Sequence, residues 1–164
     1  MKNLCFLKLS VGVAVFAALQ TPHLVVAQQA PPGPIDQTFV INPGDAPYAC
    51  NFPLQGHIQG KTGTLTLPGP RFITLTTSPN QNVTLTNLNT KETVTLNITG
   101  TTKFHEDQSF NKVYVVNGRN LLGDPVAGLV LGIGNFNFIF DQGGNLITPL
   151  NGTGRLLPVC PMLE

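Results

Sequence analysis

The side chains that could perform acid–base or metal chemistry gather in one short stretch, "FHEDQ", which contains His105, Glu106 and Asp107. A histidine beside two carboxylates could bind a metal ion or transfer protons. Consecutive residues point in different directions, however, and catalytic groups usually come from separate segments. The other ionisable candidates stand in turn-like sequence contexts: His57, Asp124 and Asp141. We therefore predict a solvated loop, with no catalytic residue, no metal site and no cofactor.

Arg119, in "VNGRNLL", is a second candidate for chemistry. It shares the phase of Val113 and Val115 if Gly118 leaves the strand register unchanged. An inward arginine would need a carboxylate partner or a ligand. Arg119 is therefore a candidate for lining an interior site, although a surface position beyond a bulge is the favoured interpretation.

Phenylalanines recur at every second position in "LGIGNFNFIFDQGGNL". A period of two indicates a strand, and "DQGGN" is typical of a turn. The residues that share one face of this strand are Val130, Gly132, Gly134, Phe136, Phe138 and Phe140. The pattern predicts that Val130 and the three phenylalanines line the interior, which is either a packed core or a cavity for an apolar ligand.

The opposite face of the same strand begins with Leu129, Leu131 and Ile133, so its first half is apolar on both sides. Something must cover this second face. The candidates are the segment 39–41, a second sheet, or another copy of the chain, which would make a homo-oligomer through these three residues.

The rest of the chain reads as long strands with short connections. In "TVTLNITGTTKF", Val94, Leu96 and Ile98 alternate with polar residues, as in a half-buried strand. Long sequential strands predict an all-β fold, either an antiparallel up-and-down barrel or a strongly coiled meander of about seven or eight strands. A β-sandwich is the alternative.

Two cysteines remain once Cys5 is removed with a predicted signal segment. Cys50 and Cys160 are expected to form a disulfide that joins the start of the folded domain to its end. A zinc or iron site is disfavoured because no histidine accompanies them.

Residues 1–27 have the pattern of a signal peptide, with Lys2 and Lys8 before an apolar run and cleavage after Ala27. The run is too short to span a bilayer. Residues 28–47 are rich in proline and are expected to be a flexible segment in which 39–41 can dock. Residues 48–164 then form a single secreted β domain, and the protein is expected to be extracellular.

The charge balance argues against one class of partner. Loss of Lys2 and Lys8 takes the formal net charge from +1 to about −1, and only 10% of the chain is charged. A nucleic acid is therefore a poor candidate partner.

Three glycosylation sequons follow the predicted signal segment, at Asn82, Asn97 and Asn151. Asn97 falls on the predicted solvent face of its strand and is the strongest of the three. The sequence therefore predicts a glycoprotein if the host glycosylates secreted chains.

Residues 50–160 resemble a family of small secreted microbial β-rich proteins that brings no known activity with it. The resemblance is carried by "GRNLL", "GNFNFIFDQGGN" and "VC", with Asn97, Arg119, Asn120, Phe136, Phe138, Phe140 and Cys160 at matching positions. It implies a single domain that ends at Cys160.

These observations favour a secreted, non-catalytic binding or surface-interaction module of the effector type. Its partner would be an extracellular molecule or an apolar small molecule. Two alternatives stay open: a barrel enzyme of the isomerase or cyclase kind acting on an apolar substrate, and a self-assembling surface-coat protein.

Overall fold

The computed structural model describes residues 30–44, 50–68 and 72–164. Within these residues it contains nine strands, which pair antiparallel throughout, and a 3₁₀ turn at Cys160–Met162. The strands are β1 (Gly33–Ile41), β2 (Leu54–Leu67), β3 (Ile73–Ser78), β4 (Asn82–Asn87), β5 (Thr93–Asn97), β6 (Gly100–Glu106), β7 (Lys112–Asp124), β8 (Gly128–Phe140) and β9 (Leu146–Pro158). The predicted all-β antiparallel fold is confirmed.

The strands form one open sheet in the order β5-β4-β2-β3-β6-β7-β8-β9, and β1 pairs with β2 off this path. In the described part of the chain β5 and β9 do not pair with each other, so the sheet does not close into a barrel. The fold is the coiled meander that the sequence predicts, with sandwich-like layering and nine strands instead of seven or eight.

The sheet bends where β2 changes partner. Residues 54–59 of β2 pair with β4, and residues 63–67 pair with β3. The segment that joins β3 to β4 is one residue longer than the stretch of β2 opposite it, which makes a bulge. Gly60 of β2 faces this bulge with φ +137°, and a Cβ there would overlap the backbone oxygen of Asn80. Glycine is therefore required at this close approach.

A row of glycines makes a second bend across four neighbouring strands. Gly100, Gly118, Gly134 and Gly154 pair in register through β6, β7, β8 and β9. At Gly134, φ is +142° and a Cβ would overlap the backbone oxygen of Thr153. Beyond this row the far ends of β7, β8 and β9 pack on the layer formed by β1, β2, β4 and β5.

The core lies between these two layers. Leu129 and Leu131 are 7% and 6% exposed, and Ile133 packs against the same cluster. A second layer of strands therefore covers this face, and it includes Phe39 and Ile41 of the segment 39–41, so two of the three sequence-based alternatives apply. Leu129 and Leu131 are buried within the chain and are not free to contact another copy, and oligomerisation stays a prediction. The buried cluster comprises Cys50, Phe52, Leu54, Val83, Leu85, Leu96, Ile98, Leu129, Leu131, Val159 and Leu163.

The N-terminal segment is more ordered than the sequence predicts. Instead of a flexible lead-in with a short docking piece at 39–41, Gly33–Ile41 forms a nine-residue strand along β2. Its one proline, Pro34, is tolerated because an edge strand has one unpaired side. Phe39 lies over Gly56, where a Cβ would overlap its ring. The first strand among the described residues thus begins at Gly33.

Cys50 and Cys160 form the predicted disulfide, with 5.5 Å between their Cα atoms. Cys50 is 4% exposed, and Val159, next to its partner, is fully buried. The predicted signal segment 1–27 lies outside the described residues. Among the residues that are described, no helix is long and apolar enough to cross a membrane.

Candidate functional site

The "FHEDQ" cluster has a structural role at its acidic end. Asp107 closes the β6–β7 turn, where its Oδ1 accepts hydrogen bonds from the backbone N–H groups of Ser109 and Asn111 at 2.8 and 2.9 Å. His105 lies within strand β6, and Glu106 is exposed at its end. In the described ranges, no three His, Cys, Asp or Glu side chains are grouped so as to hold a metal ion.

Two further aspartates close hairpin turns in the same way. Oδ1 of Asp124 accepts from the backbone N–H groups of Val126 and Ala127, at 2.9 and 2.8 Å. Asp141 accepts hydrogen bonds from the side chain and the backbone of Asn145, and these lower the pKa of the Asp141 carboxyl. Both carboxylates therefore serve the turn geometry that their sequence contexts predict.

His57 does not lie in a turn, as its sequence context suggested, but within strand β2. Its Nε2 is 2.7 Å from Oδ1 of Asp36 on the neighbouring strand β1. The hydrogen bonds from His57 and Gln59 lower the pKa of the exposed Asp36 carboxyl. The pair lies on the polar outer face of the layer, away from the core.

Arg119 is exposed, so it does not line the interior. The strand bends at Gly118, where φ is +89°, and on β7 the buried residue is Val116, in the opposite phase to Val113 and Val115. The surface interpretation of Arg119 is therefore the one that the structure shows.

The predicted interior face of β8 is buried at one end and more open at the other. Val130 is fully buried and Phe136 is 5% exposed, whereas Phe138 and Phe140 are only half-buried. The ring of Phe136 and a methyl group of Leu122 fill the space beside Gly132. The interior is thus packed near Val130 and becomes accessible towards Phe138.

A half-open cavity of about 310 Å³ lies at this transition, along the line where the sheet bends. Its walls come from five strands and from the segments between them. The apolar lining residues are Ile58, Ile98, Val116, Leu121, Leu122 and Phe138, and the polar ones are Ser78, Gln81, Thr102 and Asn120. All ten side chains are uncharged, so the site is suited to a neutral, largely apolar molecule.

The bends of the sheet place the polar lining residues. Gln81 lies in the bulge opposite Gly60, and its backbone oxygen accepts a hydrogen bond of 2.8 Å from the N–H of Ile98. Asn120 follows the bend at Gly118, and its Nδ2 comes close to Gly100, where a Cβ would leave too little room. The same irregularities that fold the two layers together therefore bring these two amides to one cavity.

Among the described residues, Gln81 and Asn87 are the buried polar side chains, and only Asn87 uses its amide in hydrogen bonds within the fold. Asn87, 2% exposed, donates from Nδ2 to the backbone oxygen of Leu163 at 2.9 Å and accepts at Oδ1 from the N–H of Asn89 at 2.9 Å. Gln81 is 7% exposed. Its side-chain amide makes no hydrogen bond to any described residue. Its amide atoms are not among the fully buried, unpartnered polar atoms of the described residues, so they open onto the cavity and are available to a bound molecule.

A row of aromatic rings continues outward from the cavity. Phe104, Tyr114 and Phe138 are paired across β6, β7 and β8. The Tyr114 ring is stacked on Phe138 with 5.1 Å between centroids, and Phe104 lies 5.1 Å from Tyr114 on its other side. Phe140 meets both Tyr114 and Phe138 edge-on. Because Phe138 also lines the cavity, the cavity and the aromatic row form one continuous surface.

The three sequons lie on strands. Asn82 and Asn151 are exposed, whereas Asn97 is half-buried, and its Oδ1 accepts a hydrogen bond from the N–H of Thr99. Asn82 and Asn97 are direct partners across β4 and β5. Their glycosylation stays a prediction.

Sequence analysis identified Phe138 but not Gln81 or Asn120 as parts of the cavity. The sequence did contain a signal for Gln81: it is two residues before Val83 and four before Leu85, both fully buried, so the alternation of the strand predicts that Gln81 also points inward. Comparison with protein-family models, curated proteins and solved structures finds no match to this chain. The proposed function therefore depends on the geometry and chemistry of the site itself.

Proposed function

We propose that this protein is an extracellular, non-catalytic binding protein that holds an apolar small molecule in the cavity at the bend of its sheet. The observation that carries the proposal is the cavity of about 310 Å³ with ten uncharged lining residues. Its volume is at the lower end of the range of small-molecule sites.

Extracellular location is supported by two features. Residues 1–27 have the pattern of a signal peptide. The Cys50–Cys160 disulfide is compatible with an oxidising compartment.

Binding is favoured over catalysis by the chemistry of the lining. An isomerase or cyclase acting on an apolar substrate needs groups that move protons, and general acids and bases are usually His, Asp, Glu, Lys, Tyr or Cys. The lining offers amides, hydroxyls and hydrocarbon, which can orient a ligand by hydrogen bonds and contact area.

The proposal is tested with the neutral fluorescent probe N-phenyl-1-naphthylamine. We expect saturable binding to the secreted, disulfide-bonded chain, seen as increased and blue-shifted emission. Thr102→Phe should weaken binding at least about tenfold by filling the cavity. Thr101→Phe, one residue along β6 and on its opposite face, should leave binding unchanged. Absence of saturable binding, or equal effects of the two variants, would contradict the proposal.

A further inference from the structure

One polar side chain in the cavity, that of Gln81, has no hydrogen-bonding role in the described part of the fold. Gln81 is 93% buried, lines the cavity and keeps its side-chain amide free of hydrogen bonds to the described residues. Among the described residues, the one fully buried side-chain polar atom without a hydrogen-bond partner is Nδ1 of His105, so the Gln81 amide still reaches the half-open cavity, where it can bond to a ligand. Asn87, in the same row of side chains, shows that the fold can supply partners where the amide serves structure.

Asn120 adds a second acceptor to the same cavity. Its Nδ2 donates to the backbone oxygen of Asn117 at 3.1 Å, which leaves Oδ1 without a donor from the part of the chain that the structure describes. Gln81 can both donate and accept, and Asn120 can accept. A hydroxyl or an amide N–H on the ligand would match these groups.

The lining also disfavours charge. Burying a carboxylate or an ammonium group is costly without a paired charge, and none of the ten lining residues carries one. Phe138, which lines the cavity and is stacked with Tyr114, offers an aromatic surface that favours a flat ring over a flexible chain.

We infer that the cavity selects neutral, ring-containing ligands with a hydroxyl or amide group, and that Gln81 recognises this group by hydrogen bonding. The inference rests on the proposed function, since it presumes that the cavity binds apolar molecules. Gln81 is then the residue that determines specificity, while the apolar lining supplies most of the affinity.

Three ligands with one ring system test this inference: naphthalene, 2-naphthol and 2-naphthoate, each displacing N-phenyl-1-naphthylamine from the full secreted chain at neutral pH. We expect 2-naphthol to bind about 5-fold tighter than naphthalene, as one net hydrogen bond provides. We expect 2-naphthoate to bind at least about 10-fold more weakly than 2-naphthol because its charge would be unpaired.

Gln81→Met keeps the length of the side chain and removes its amide, so it should abolish the preference for 2-naphthol over naphthalene. Asn82→Met, at the neighbouring exposed position, should keep the preference. In the wild-type protein, the side-chain NH₂ resonances of Gln81 should shift with 2-naphthol and much less with naphthalene, a measurement that does not depend on a variant folding.

Binding of the naphthalenes without preference, tightest binding of 2-naphthoate, or an unchanged preference in Gln81→Met would overturn the inference alone. Failure of the probe and all three compounds to bind would overturn the proposed function, and the inference with it.

Discussion

Gln81 and Asn87 lie at the two ends of one inward-facing row of side chains, and only Asn87 finds hydrogen-bond partners for its amide within the described chain. Val83 and Leu85, between them, are fully buried. The row thus runs from a cavity at one end to the anchored C-terminal segment at the other. The two amides should therefore respond differently to substitution.

Asn87→Ala should destabilise the protein by about 1–3 kcal/mol, because it leaves the Leu163 oxygen and the Asn89 N–H without their partner. Gln81→Met should change stability by less than about 1 kcal/mol. Urea unfolding followed by circular dichroism measures both values. A larger loss at Gln81 than at Asn87 would show that the Gln81 amide is structural.

Phe136 and Phe138 should differ in their contribution to stability. Phe136→Ala is expected to cost about 3–5 kcal/mol because the ring is 5% exposed. Phe138→Ala should cost less, since its ring is half-buried and borders the cavity, and it should weaken probe binding. Asn137→Ala, on the exposed face between them, serves as the control in thermal unfolding; a loss there comparable to Phe136→Ala would refute the assignment of faces.

The bend at the glycine row should not tolerate side chains. Gly134→Ala is expected to lower stability by at least about 2 kcal/mol, because φ is +142° and a Cβ would overlap the Thr153 oxygen. Gly33→Ala, with no atom within 4 Å of the added Cβ, should be near neutral. Equal melting temperatures for the two variants would mean that the bend is not needed for packing the layers.

The paired sequons should compete if the host glycosylates the protein. Asn82 and Asn97 face each other across β4 and β5, where a pair of glycans would crowd. Mass spectrometry of glycopeptides should find Asn82 and Asn151 occupied more fully than Asn97, and Asn82→Gln should raise occupancy at Asn97. Full occupancy at both paired sites would contradict the crowding.

Much of the fold was predictable because alternation along a strand depends on burial alone. The period of two through Phe136, Phe138 and Phe140 identified β8. The two cysteines that follow the predicted signal segment identified the disulfide. The sequence did not predict strand β1, because prolines usually argue against a strand and edge strands are the exception. The packing of β1 on β2 also depends on the contact of Phe39 with Gly56, which are far apart in the sequence.

The cavity was only partly predictable for a related reason. Its wall depends on where the sheet bends, and bends arise from the pairing of glycines across strands, as at Gly118 and Gly134. A single sequence shows the glycines but not which of them are opposite one another. Arg119 was placed ambiguously because its direction depends on the bend at Gly118.

The most direct test of the account is a methyl NMR titration of the wild-type protein with N-phenyl-1-naphthylamine. We predict shifts and intermolecular NOEs at the methyl groups that line the cavity, those of Ile58, Ile98, Val116, Leu121 and Leu122, with little change at Leu85 and Leu163 in the closed core. Perturbation confined to other surfaces, or no perturbation at saturating probe, would show that the cavity is not a binding site.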